Sequence, residues 1–122
     1  MSPVDDPTIG DDVLLWRRIA PERVRVDHET GEQRPSDSAF RTEQMSVHIA
    51  SLTGRDAVLA NYPNHRLMEL SAGEARGEGF IIVRDPLPED PSHALVLRGD
   101  NPGQRPTKSQ AKKLANCARW VV

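Results

Sequence analysis

Cysteine, aromatic side chains and long apolar runs are all scarce in this chain of 122 residues, and each scarcity removes a class of protein. The single cysteine, Cys117, cannot close an internal disulfide, which fits a reducing compartment and leads us to expect a cytoplasmic protein. It falls beside Leu114 and Ala118 in an amphipathic pattern, so its expected role is packing rather than nucleophilic attack. No apolar run approaches the roughly 20 residues that cross a bilayer. The acidic start is also unlike a basic lead into a hydrophobic leader, so neither membrane insertion nor standard secretion is expected. The aromatics number only two Phe, two Trp and one Tyr, without interleaved cations, and the formal net charge is −2, which disfavours nucleic-acid binding.

Chemical motifs are equally sparse. The four histidines, His28, His48, His65 and His93, show none of the HxH, HxxxH or HExxH spacings that hold a metal, so neither metal nor cofactor is expected. The stretch from Gly99 to Ser109 has the colour of a phosphate loop. It fails, because only three residues separate Gly99 from Gly103 and Gln104 follows where a Gly-Lys-Ser/Thr run is needed. What remains there is a helix start flanked by Arg105 and Lys108, an environment favourable to an anion.

What the chain does contain is charge, proline and short strands. Charged residues make up 28% and apolar ones 37%, the balance of a globular protein, while ten prolines and eight glycines imply extensive loops. Arg outnumbers Lys thirteen to three, which suits forked pairing with carboxylate or phosphate and also matches the codon usage of GC-rich bacteria. The ends differ in sign. Asp5, Asp6, Asp11 and Asp12 precede every basic residue, and Arg105, Lys108, Lys112, Lys113 and Arg119 follow the last acidic one. Residues 1–12, with Pro3, Pro7 and Gly10, read as a flexible acidic arm, and 13–122 as a single domain.

Within that domain, apolar runs predict strands at 13–19, 24–26, 45–50, 66–71, 79–84 and 92–98. In Met45-Ser46-Val47-His48-Ile49 the alternation sends Met45, Val47 and Ile49 to the core and places Ser46 and His48 together on the opposite face. Thr53 reads as the cap of a short middle helix that Pro63 must end. Thr107 and Gln110 form a reciprocal capping box, after which Ala111, Leu114, Ala115, Ala118 and Val121 make one helical stripe. The expected fold is α+β: a single small domain of about five short, mainly antiparallel strands, with the helices near 53–61 and 107–120 covering one face.

Two groups of side chains carry candidate chemistry. Arg34, Ser36, Ser38 and Arg41 lie in a segment whose Pro35 bars Arg34 from helix, so an ordered loop presenting guanidinium and hydroxyl groups is expected. His48 and His93 both lie in strands, and imidazole suits proton transfer near neutral pH. The first functional expectation is a small bacterial accessory protein that acts through a protein partner or a second copy of itself. The alternative is a small enzyme or binding domain for an anionic ligand, a nucleotide or phosphate ester, using Arg34 as anion anchor and His48 or His93 as catalytic groups. In that alternative Ser36, Ser38, Arg41, Arg105 and Lys108 are further binding residues.

Overall fold

The computed structural model describes residues 3–121, so positions 1, 2 and 122 at the ends of the expected arm and domain lie outside it. Eight strands and three α-helices follow one another in an α+β arrangement. In chain order they are β1 (Leu14–Ile19), β2 (Val24–Val26), β3 (Gln33–Pro35), β4 (Met45–Ile49), α1 (Arg55–Leu59), β5 (Arg66–Ser71), α2 (Ala72–Gly77), β6 (Phe80–Arg84), β7 (His93–Arg98), α3 (Lys108–Cys117) and β8 (Arg119–Trp120). Six strands form one antiparallel sheet in the order β6-β7-β4-β1-β5-β8, and β2 pairs with β3 in a separate hairpin. Among the described residues no helix is long and apolar enough to cross a membrane.

Strand alternation divides the side chains between two faces, and directly paired residues share a face. Leu15, Ile49 and Leu70 stand in one row, and Val47 with Ala94 and Met45 with Val96 lie on the same side. These residues form the main core with Ala39 and Phe40, with Ala72 and Ala75 of α2, and with Ala111, Leu114 and Ala115 of α3. The small residues of α3 let its backbone approach the turn at Asp37–Phe40 closely, and its alanine-rich stripe joins the core there. On the other face stand Trp16, Arg18, Ser46, His48 and His93.

The two helices expected on one face are divided between both. Val58 of α1 and Leu67 of β5 are buried, yet neither belongs to the main core cluster, and α1 lies beside His48 and His93. The cap also shifts by one residue. Gly54 rather than Thr53 precedes α1, and no side chain caps it.

The third helix, α2, escapes the sequence reading because its six residues are too few for a periodic stripe. Its boundary signals are nevertheless strong. Ser71 accepts from the Glu74 amide at 3.0 Å, and Glu74 accepts from the Ser71 amide at 2.8 Å. Gly79 then follows with a φ of 91°, the left-handed geometry that ends a helix without a Cβ clash.

Residues 5–11, read from composition as part of an acidic arm, are held on the domain by apolar and charged contacts. Ile9 is only 1% exposed and joins the core. Arg76 donates to Asp5 at 3.1 Å, to Asp11 at 2.7 Å and to the Asp6 carbonyl at 3.1 Å, and Arg84 approaches Asp6 at 3.3 Å. The acidic start therefore meets arginines of α2 and β6, not the basic end of the chain.

Candidate functional site

The register of β4 and β7 sets His48 directly opposite His93, so the two imidazoles leave the sheet on the same face. Their ring centroids lie 6.1 Å apart at an interplanar angle of 80°. Each ring has its own carboxylate. His48 Nδ1 is 2.9 Å from Asp90 Oδ2, and His93 Nδ1 is 3.0 Å from Asp85 Oδ2 and equally close to the Asp85 carbonyl oxygen.

Local backbone chemistry explains why those carboxylates are there. The proline-rich segment between β6 and β7 closes as a tight turn, with Leu87 and Asp90 exchanging backbone hydrogen bonds at 3.0 Å in both directions. Asp90 Oδ1 accepts from the Ser92 amide and hydroxyl, which orients the carboxylate and frees Oδ2 for His48. Although burial pushes the Asp90 carboxyl up, the Ser92 bonds and His48 hold it below the ordinary value, so it is ionised at neutral pH.

His48 is 6% exposed, and burial lowers its pKa from 6.5 despite the opposing pull of Asp90. The neutral ring therefore donates from Nδ1 to Asp90, leaving the Nε2 lone pair as the basic atom. His93 is oriented through the same nitrogen. Both rings border a cavity of about 440 Å³, shared with Arg18, Asn61, Tyr62 and Glu89. The Arg18 guanidinium carbon lies over the Tyr62 ring, 3.7 Å from its centroid, which holds a cation on the wall beside the imidazoles. Among the described residues, no group of three or more His, Cys, Asp or Glu side chains is arranged to hold a metal ion.

Arg34 is elsewhere. Its Nη2 donates to the carbonyls of Ala115 and Ala118 at 2.7 and 3.0 Å, at the C-terminal end of α3 and hence on the core side of the sheet. Arg41 donates through Nε to the Pro106 carbonyl at 3.1 Å, fixing the loop before α3. The Ser36 and Ser38 hydroxyls bond each other at 2.6 Å. Ser36 and Lys108 share a groove of about 350 Å³ with Arg25 and Lys112, whereas Ser38 borders a different cleft. Arg105 is exposed, and its carbonyl accepts from Arg98. The structure thus brings His48 and His93 together and separates Arg34 and Arg41 from them.

Asp85, Asp90, Arg18 and Tyr62 were missed as partners of the histidines. The only signal for the carboxylates was that the Pro86–Pro91 loop begins and ends beside acids, Asp85 just before Pro86 and Asp90 just before Pro91. No protein-family model, curated protein or solved structure matches the chain.

Proposed function

We propose that this protein is a small acid–base catalyst acting on a phosphodiester-type monoanion in the cavity between β4, β7 and α1. The observation that carries this reading is the adjacent pair of imidazoles, each oriented at Nδ1 by its own carboxylate and bordering one pocket beside a fixed guanidinium. In hydrolysis, His48 Nε2 takes a proton from water as its oxygen attacks phosphorus. The protonated His93 gives its Nε2 proton to the departing ester oxygen as the P–O bond breaks. Arg18 faces the charge on the non-bridging oxygens. A monoanion suits the site better than a dianionic monoester, because Glu89 and Asp90 border the same cavity as its single arginine.

The interaction-module reading finds less support. Among the described residues the large exposed apolar side chains, Val4, Leu14, Val26, Leu52 and Tyr62, belong to five separate segments and do not name one surface. The test is turnover of a panel of phosphate diesters and monoesters followed by phosphorus NMR. Diesters should be cleaved preferentially, and His48→Gln and His93→Gln should each lower kcat by about 10²–10⁴-fold. Arg34→Ala should leave kcat unchanged. Absence of turnover across the panel, or retention of full activity by both histidine variants, overturns the assignment.

A further inference from the structure

A second cavity lies where the sheet comes apart. β1 and β4 pair only at Leu15 with Ile49 and Trp16 with His48. Beyond that point β1 stays on β5 as far as Ile19 opposite Arg66, and β4 stays on β7 as far as Met45 opposite Val96. The opening is a cleft of about 240 Å³ whose walls include Arg17, Arg23, Ser38, Thr42, Ser46 and His65.

Arg17 spans the split. Its Nε donates to the Ala39 carbonyl at 3.2 Å, Nη1 to the Ser46 carbonyl at 2.8 Å and Nη2 to Thr42 Oγ1 at 3.2 Å. These bonds use three of the five guanidinium N–H groups, leaving one on each terminal nitrogen. Burial, with Arg18 and Arg23 nearby, lowers the Arg17 pKa to about 10, so it remains a cation at neutral pH.

Among the described residues neither Arg17 nor Arg23 forms an ion pair, and the only acid on the cleft wall is the exposed Glu22. Arg23 donates Nη1 to the Ser38 carbonyl at 3.0 Å, and its side chain is otherwise exposed. A part-buried cation without an anion, as Arg17 is, is incomplete.

We infer that this cleft is a second binding site, distinct from the histidine pocket, for the oxyanion group of a small phosphate or carboxylate. The anion accepts from the two remaining Arg17 donors and from Arg23, with the Thr42 hydroxyl and His65 at its sides. Arg18 over the Tyr62 ring at 3.7 Å, and Tyr62 against the His65 ring at 5.0 Å and a 56° tilt, stand between the two cavities. The site holds an anion without needing the imidazole pair, and among the described residues Arg18 is the one side chain that borders both cavities.

The test is a titration with inorganic phosphate at constant ionic strength, with acetate in parallel, read by nitrogen NMR of the His65 ring and by calorimetry. Phosphate should perturb the His65 ring, which borders the cleft, and Arg23→Ala, which removes an exposed side chain, should weaken binding about tenfold. His48→Gln and Lys108→Ala should bind as the wild type does. Tighter binding of phosphate than acetate assigns the site to phosphate, and the reverse assigns it to carboxylate. No response of His65 to either anion, or binding lost in His48→Gln but kept in Arg23→Ala, overturns the inference.

Discussion

At the scale of single residues, function turns on what each imidazole faces. The facing of His48 was legible from the alternation of Met45, Val47 and Ile49, because a strand has a fixed period. Its partner was not, since Asp90 reaches it through a proline-rich turn whose course depends on non-local pairing of β4 with β7. The consequence for pH follows from burial. The folded protein binds a proton at His48 less readily than the unfolded chain does, so the unfolded state holds more protons just below 6.5. Stability is therefore complete above that pH and declines as pH falls from 6.5 toward the folded value. In His48→Gln the unfolding midpoint should fall less steeply over that interval, and an unchanged slope would assign the loss to another group. Asp90→Asn removes the charge that holds the imidazole pKa up, so the His48 ring should titrate still lower by NMR. A rise would show that Asp90 does not hold the imidazole pKa up.

At the scale of elements, the start of α3 was readable in advance but its end was not, since the helix stops at Cys117 and Arg119–Trp120, expected within it, pair with β5 as β8. Thr107 accepts from the Gln110 amide at 3.1 Å and Gln110 accepts from the Thr107 amide at 2.9 Å, as the capping pattern predicts. The stripe from Ala111 to Ala118 is buried. Leu114→Ala should cost about 2–4 kcal/mol in chemical denaturation, whereas Lys112→Ala, at an exposed position, should change stability by less than about 0.5 kcal/mol. The other end of the same helix explains Arg34. An arginine in a segment of prolines and serines looked like a ligand anchor, but the carbonyls of Ala115 and Ala118 are left open at a helix C-terminus and attract a cation. Nothing local to Arg34 announces a helix end some eighty residues away. Arg34→Ala should destabilise the fold by about 1–2 kcal/mol, with Arg34→Lys recovering part of the loss. A fold insensitive to Arg34→Ala would leave the α3 terminus without its assigned partner.

At the scale of the whole molecule, the charge asymmetry between the two ends was legible, but the pairing it produces was not. Asp5, Asp6 and Asp11 turn back to Arg76 and Arg84 because the exposed edge of β6 needs a cover. The Ile82 amide donates to Asp5 Oδ1 at 2.9 Å, and the Ile82 carbonyl accepts from the Asp6 amide at 2.8 Å. An edge strand left with unpaired backbone groups is a template for association with another chain, and here the first residues occupy that template themselves. Ile9 adds apolar burial to the polar clasp, so Ile9→Ala should cost about 2–4 kcal/mol if the segment is integral to the fold. Asp5→Ala makes the sharper test, because it opens the Ile82 amide while leaving the core intact. Exchange of that amide with deuterium should accelerate markedly while exchange in β1 stays slow, and self-association should rise with protein concentration. Unchanged protection of Ile82 would mean that the edge is covered by something other than the acidic segment.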